Sequence, residues 1–284
     1  MKLKEILKKI PFLKYVYIKV QLFFRKKTKP KKSVFGFYFS GNSVMRKGNF
    51  EVTETKIINS LLDHYETFID IGANIGYYCC FALNKNIHTL AFEPLKSNLF
   101  FLFNNILANN FKNIEVFPIA LGNSIGLIDL YGENTGASII EGWANSKKFN
   151  KRLIPINTIN NVIGNRFKNK NVLILVDIEG AEKFMLDEAQ ALLDQSTTPT
   201  WIIEINIDEH QPKGIKINPY LLEIFSVFFN RNYKVIAINE HFNYVTKEDI
   251  IEIVKTGHNH LNTHNFIFVD KTKEDMIQAT LKTI

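Results

Sequence analysis

From residue 67 onward, short runs of β-branched and aromatic residues alternate with longer segments whose apolar positions recur every three or four residues. "TFID", "HTLAFEP" and "IEVFPIAL" have the near-continuous apolar character of strands buried on both faces. Between them "YYCCFALNK" reads as a helix. In "NLFFLFNNILANN", Leu99, Leu102, Phe103 and Ile106 fall at i, i+3, i+4 and i+7, the stripe of an amphipathic helix. Residues 123–171 break the rhythm with strand-like pieces such as "GLIDLYG" and "RLIPINTI". It resumes with "VLILVDIEG", a helix whose Met185, Ala189, Leu192 and Leu193 share a face, the strand "WIIEIN", and a helix carrying Leu221, Ile224, Phe225 and Phe228. "YKVIAI" and "NFIFVD" close the chain with no long helix between them, so the last strand is expected to run antiparallel at or near the sheet edge. The pattern predicts an α/β fold, a mostly parallel sheet with helices on both faces. Residues 1–51 read as a basic, partly helical N-terminal extension and 52–284 as the domain.

Charge changes the picture at one end. The 284 residues carry a net charge of +7, yet residues 1–32 hold twelve Lys or Arg and one acid, so the remainder is mildly acidic. Leu3, Ile6, Leu7, Ile10 and Leu13 recur at helical spacing in this tail, with lysines between them. Lys14 and Lys19 interrupt its apolar stretch, so it is too short to span a membrane, and it lacks a signal-peptide cleavage site. Such a helix either lies on an anionic membrane surface or docks on the protein's own body. No nucleic-acid module accompanies the basic tail, so no nucleic-acid partner is expected. The only cysteines, Cys79 and Cys80, are adjacent, which excludes a disulfide framework and a thiolate metal site and fits a reducing, cytoplasmic setting. Both read as filling space on a helix.

Candidate chemistry begins at "FIDIGANIGYY", where a strand runs into Gly72-Ala73-Asn74-Ile75-Gly76. No Lys-Ser/Thr pair follows, so it is not a P-loop, and a third glycine is missing from the dinucleotide pattern. Asp70 would repel a pyrophosphate at the helix start and attract an ammonium group. S-adenosyl-L-methionine carries an ammonium and a sulfonium and no phosphate. Glu93 ends the next strand, where a carboxylate can accept both ribose hydroxyls of any nucleoside.

With "AFEPLKSN", "NNILANN", "IALGNSIGLIDLY" and "VDIEGAE" following in order, the chain resembles the FkbM family of S-adenosylmethionine-dependent methyltransferases over about residues 52 to 270. The resemblance implies a Rossmann-like class I methyltransferase fold, a seven-stranded sheet with its last strand antiparallel. It implies that Asp70, Gly72, Asn74 and Gly76 border the methionine part of the cofactor, that Glu93 holds the ribose, and that Leu95 and Ala120 lie near the adenine. Leu175 stands where the family often has a lysine, and Ile159-Asn160 where it often has Leu-Asp.

"VDIEGAE" puts Asp177, Glu179 and Glu182 at a strand's carboxyl end, where open α/β sheets bind ligands. Asp177 and Glu179 are the catalytic candidates, with His241 as a further general base, while Glu182 belongs to the first helical turn. Ser138, Trp143 and Glu204 are candidate substrate contacts. Asp177, Glu204 and Asn206 form an oxygen set acceptable to Mg²⁺. His258, His260 and His264 read as a polar loop. The expected activity is O-methyl transfer to a hydroxyl of a sugar, glycan or secondary metabolite, cytoplasmic or peripheral on the inner membrane face. The alternatives are a binding protein that kept the fold without catalysis, and an NAD-dependent or nucleotide-sugar enzyme.

Overall fold

The computed structural model describes residues 29–132 and 136–284, so the expected tail helix lies outside the described residues. The described chain enters through a hairpin, β1 (Lys31–Lys32) and β2 (Tyr38–Phe39), followed by the helices α1 (Ser43–Arg46) and α2 (Val52–Leu61). The alternation then sets in with β3 (Thr67–Ile71), α3 (Tyr77–Asn84), β4 (His88–Phe92), α4 (Lys96–Ala108) and β5 (Ile114–Phe117). An excursion into a separate three-stranded sheet comprises β6 (Ala120–Leu121), β7 (Gly126–Tyr131) and β8 (Lys151–Asn157). Next come α5 (Ile159–Ile163), β9 (Val172–Val176), α6 (Glu182–Leu186), α7 (Gln190–Leu193), β10 (Thr200–Glu204) and α8 (Leu221–Phe229). The chain closes with β11 (Lys234–Ala237), β12 (Tyr244–Val245), α9 (Lys247–Thr256), β13 (Asn265–Val269) and α10 (Glu274–Leu281).

The main sheet has the order β12-β11-β13-β10-β9-β3-β4-β5, eight strands among the described residues where seven were expected. The additional strand is β12, two residues at the edge. β13 is antiparallel to both its neighbours, β10 and β11, and lies inside the sheet, not at its edge. All five of its residues are buried, as in a strand whose sheet is covered on both faces. A ten-residue helix, α9, also separates β12 from β13 where no long helix was expected. Only Ile250 and Ile253 of α9 are buried, so its stripe is thin against many charges, but a capping box between Thr246 and Asp249 fixes its start.

Alternation along β3 sends Ile69 and Ile71 to one core and Phe68 to the other, and Asp70 shares the side of Phe68. The second core includes Phe37, Phe39 and Met45 beside Phe68, Tyr77 and Phe81. Residues N-terminal to the expected boundary at 51 are therefore part of the packed body. Docking of the hairpin also sets the rotation of α4. Asn105 accepts from the Ser40 N–H at 2.8 Å and donates to the Ile75 carbonyl at 2.9 Å, while Asn109 exchanges two hydrogen bonds with the Tyr38 backbone. Phe101 and Asn105 consequently face inward, and Phe103, counted in the expected stripe, is 45% exposed. Met185, Ala189, Leu192 and Leu193 are all buried, as their shared face predicts, but on two short helices instead of one.

Candidate active site

Two clefts open beside the glycine turn at the carboxyl ends of β3, β4 and β9. The first, about 620 Å³, is lined by Glu93, Leu95, Asn98, Ala120, Leu130, Ala137 and Ile139. The second, about 560 Å³, is lined by Glu51, Glu54, Asp70, Tyr77, Tyr78, Leu175, Glu204 and Asn265. Gly72, Asn74 and Asp177 line both.

Gly72 is the pivot of this arrangement. Its φ is +91°, and a β-carbon there would sit 1.8 Å from the Asp177 carbonyl oxygen, so no other residue fits. The N–H groups of Gly72 and Ala73 both donate to the Phe92 carbonyl at 2.9 Å, tying the turn to β4. Asn74, at φ +51°, donates its N–H to Glu93 Oε2 at 2.9 Å, and the Leu95 N–H donates to Oε1 at 2.7 Å. Glu93 is thus held by two backbone N–H groups, with the Asn98 side chain as a third partner, and its carboxylate oxygens retain acceptor capacity toward the cleft. Burial pushes this carboxyl up to about 7, against the pull of its hydrogen bonds. Gly76 lines neither cleft. It begins α3 at φ +78°, facing Leu102, so its glycine is a conformational requirement and not the cofactor border expected.

Asp70, expected in the same pocket as Glu93, faces the second cleft because of the β3 alternation. It is 2% exposed, and the Cys79 thiol donates to its Oδ2 at 3.0 Å. Burial raises it to about 7. Cys79 therefore does more than fill space: it partners a buried carboxyl.

Asp177 stands where the two clefts meet, and no described residue hydrogen-bonds its carboxyl. Burial, then the charges of Glu204, Glu179, Glu51 and Glu182, pushes it well above the usual carboxylate range. Glu179 lines the first cleft in the left-handed region, φ +53°. The Trp143 indole N–H donates to its Oε2 at 2.8 Å, and the Ser138 hydroxyl donates to its carbonyl at 2.6 Å. Trp143 and Ser138 are each 1% exposed and line neither cleft, so they brace Glu179 and are not placed to touch a substrate as expected. Gly180 fits beneath the indole, where a β-carbon would lie 2.4 Å from the ring. Glu182 accepts from the Gly180 N–H at 2.8 Å in the first turn of α6, and burial lifts it to about 8.

His241, expected as a further general base, sits exposed in the turn after β11 and lines neither cleft. Asn206 is buried beyond β10, donates to Glu204 Oε1 at 3.0 Å, and lines neither cleft, so the expected oxygen set for Mg²⁺ is not assembled. Among the described residues no group of three or more His, Cys, Asp or Glu is placed to hold a metal ion. His258 and His260 are exposed, and His264 lies 3.7 Å from Glu209.

Sequence reasoning missed the contribution of the N-terminal segment. Glu51 reaches the second cleft from a left-handed residue, φ +39°, and accepts the Tyr78 hydroxyl at 2.7 Å. Burial raises it to about 7. Glu54 accepts from the Asn265 amide at 3.2 Å. Nothing in "GNFEVTE" marks these acids as cleft residues, because only the docked hairpin carries them there. Leu175 forms part of the second cleft's wall, so among the described lining residues no lysine or arginine stands there. Asn160 lines neither cleft and instead joins α5 to α7 through Gln190 and Ala191.

The description "Methyltransferase FkbM domain" fits residues 70–235, more than half of the chain and the span that holds the glycine turn, Glu93 and Asp177. The chain belongs to the FkbM methyltransferase family. No curated protein sequence matches it. Among solved structures, this FkbM-family chain is similar to the precorrin-6y C5,15-methyltransferase of Geobacter metallireducens GS-15, at 12% identity and a TM-score of 0.43, over 82% of this chain and 95% of that one. It is similar to the SAH-bound methyltransferase PaMTH1 of Podospora anserina, at 11% identity and 0.32, over 69% and 71%. A SAM-dependent methyltransferase of Aquifex aeolicus is similar at 13% identity and 0.34, over 71% and 93%.

The two clefts of the FkbM fold differ in chemistry. The first combines apolar walls with the carboxyl groups of Glu93, Asp177 and Glu179, a mostly apolar pocket with a few polar groups of the kind that suits a nucleoside. The second presents carboxyl groups and, among its lining residues, no lysine or arginine, so it disfavours phosphate and other anions.

Proposed function

We propose that the protein is an S-adenosylmethionine-dependent O-methyltransferase acting on a hydroxyl of a sugar, glycan or secondary-metabolite acceptor. The observation that carries this reading is the joining of an apolar-walled cleft that holds Glu93 to a carboxylate-lined one across Gly72. The residues present fit the cofactor: Glu93 lines the first cleft among apolar walls, and Gly72, with no side chain, lets the turn pass against Asp177 between the two clefts.

In this reading Glu93 takes the ribose hydroxyls, Leu95 and Ala120 border the adenine, and the turn from Asp70 to Asn74 holds the amino-acid end. When bound, S-adenosylmethionine supplies a methyl group already made electrophilic by its sulfonium. The protein's own task is to align the acceptor hydroxyl and exclude water. Leu175, Phe50 and Ile58 provide the dry wall of the second cleft, and Glu51 or Glu204 takes the hydroxyl proton. Burial and the neighbouring acids push Asp177 well above the usual carboxylate range, so its charged form gains from a cationic group beside it.

Calorimetric titration with S-adenosylhomocysteine, with NAD as comparison, tests the reading. Saturable binding of the homocysteine compound alone is expected, since a pyrophosphate would meet Asp70 and Asp177. Binding of NAD alone, or of neither, would overturn it.

The basic residues 1–32 add an anionic membrane surface as partner, so that the acceptor is presented at a bilayer. Deleting them should abolish sedimentation with anionic vesicles; unchanged sedimentation would sink this part. Among the described residues no helix is long and apolar enough to cross a membrane.

A further inference from the structure

We propose that the hairpin β1–β2 and the turn through α1 seat on an anionic bilayer, so that the second cleft is served from the lipid surface. The inference rests on the membrane reading of residues 1–32 given above. It goes beyond that reading by assigning a lipid contact to the folded body and by naming the cleft that contact serves.

Hydrogen bonds make the hairpin and α1 one unit. The Val34 N–H donates to the Arg46 carbonyl at 3.1 Å, and the Asn49 N–H donates to the Val44 carbonyl at 3.1 Å. In the hairpin, Lys32 stands opposite Tyr38 and Lys31 opposite Phe39. The unit buries Phe37, Phe39 and Met45 in the second core. It leaves Val34 67% exposed, with Tyr38 and Val44 at 48% and 47%.

Charge selects the partner. Residues 29–50 contain Lys29, Lys31, Lys32, Arg46 and Lys47 and no acid. The four lysines are exposed, and among the described residues no ion pair engages any of the five. The chain beyond residue 32 is net acidic, so this concentration of unpaired bases is local. Bases alone would suit any polyanion, but here valines stand among them. Positive side chains interleaved with apolar ones match the boundary between headgroups and acyl chains. The connection of the chain agrees, because the residues of the basic tail enter this unit directly through Lys29 and β1. Tail and body surface thus offer the same charge to the same leaflet.

The same segment walls the second cleft. Met45 and Phe50 line it, one residue from Val44 and three from Lys47 respectively. Glu51 and Glu54, the first acids after Glu5, line it too, and Glu51 accepts the Tyr78 hydroxyl. An acceptor anchored in lipid by an apolar end therefore presents its polar head beside the carboxyl-lined cleft without leaving the bilayer.

Site-directed labelling of the full chain tests this. Both native cysteines are buried, so Val34→Cys and Val44→Cys, each carrying a polarity-sensitive fluorophore, report on their own positions. Leu153→Cys, at a 67% exposed position of the separate three-stranded sheet, is the comparison. On adding vesicles of phosphatidylglycerol and phosphatidylcholine, the labels at 34 and 44 should shift to the blue and the label at 153 should not. Lys31→Gln and Lys32→Gln should each weaken vesicle binding about fivefold. Sedimentation without a shift at 34 or 44, or with an equal shift at 153, overturns the inference and leaves the tail reading standing. No sedimentation of the full chain overturns both. Equal shifts with phosphatidylcholine alone overturn the anionic partner. Should a cysteine variant fail to fold, the two lysine variants decide it, unchanged binding in both counting against the proposal.

Discussion

At Gly72 the backbone of β3 and the carbonyl of Asp177 come so close that a single methyl group would collide with the peptide oxygen. Gly72→Ala therefore adds a steric clash to a strained φ, and should lower stability by about 3 kcal/mol, measured as a fall in the urea midpoint. Binding of S-adenosylhomocysteine should be lost with it. Glu93 offers a gentler probe. Its removal in Glu93→Ala leaves the Asn74 and Leu95 N–H groups without their acceptor and the ribose without its partner. About a hundredfold loss of S-adenosylhomocysteine affinity is expected by calorimetry. Retention of wild-type affinity would remove Glu93 from the site. Both residues were legible in the sequence, because a glycine turn after a strand and an acid at the next strand end are local patterns. Asp70 was legible as an acid beside the turn, but its burial and the cleft it faces depend on strand pleat and on the segments packed against it.

Among the elements, the hairpin and α4 show how packing overrides a helical stripe. The spacing of Leu99, Leu102, Phe103 and Ile106 is truly helical, yet the hydrogen bonds of Asn105 and Asn109 to the hairpin turn the helix toward its asparagines. Periodicity counts apolar residues and cannot credit a buried amide that satisfies another segment's backbone. Phe39, 1% exposed in the core with Phe37 and Tyr77, anchors this docking. Phe39→Ala should cost about 3–5 kcal/mol in urea unfolding. A cost below about 1 kcal/mol would mean the hairpin is not part of the cooperative body. β13 makes the same point in the sheet: its sequence reads as a buried strand, but its insertion between β10 and β11 is a pairing decision made by residues more than twenty positions away.

Across the whole molecule, buried carboxyl groups couple the site to stability. Asp70, Glu93 and Glu51 are raised to about 7 and Glu182 to about 8, each chiefly by burial. The unfolded chain releases these protons near pH 4 to 4.5, whereas the folded one keeps them until about 7 or 8. Between those limits the folded state binds more protons, so stability falls as pH rises. Glu66, Glu115 and Asp249, lowered in the fold, act oppositely and lose their contribution only at stronger acid. The ligand-free protein should therefore melt at a higher temperature at pH 5.5 than at pH 8, by differential scanning calorimetry. A flat or rising profile over that range would show that these carboxyls are ionised in the fold.

The sequence by itself determined the α/β class, most of the strands, the glycine turn, Glu93, the family and the separation of a basic tail from an acidic body. These rest on interactions between near neighbours, on side-chain periodicity and on the fixed conformational needs of glycine. Only the tertiary structure decided that Glu51 and Glu54 share a cleft with Asp177 and Glu204, that Trp143 and Ser138 brace Glu179 from behind, and that His241 lies away from the clefts. These depend on which distant segments pack together and on where each side chain points once they do. Such choices follow from the summed burial of the whole chain, and no short stretch of it records them.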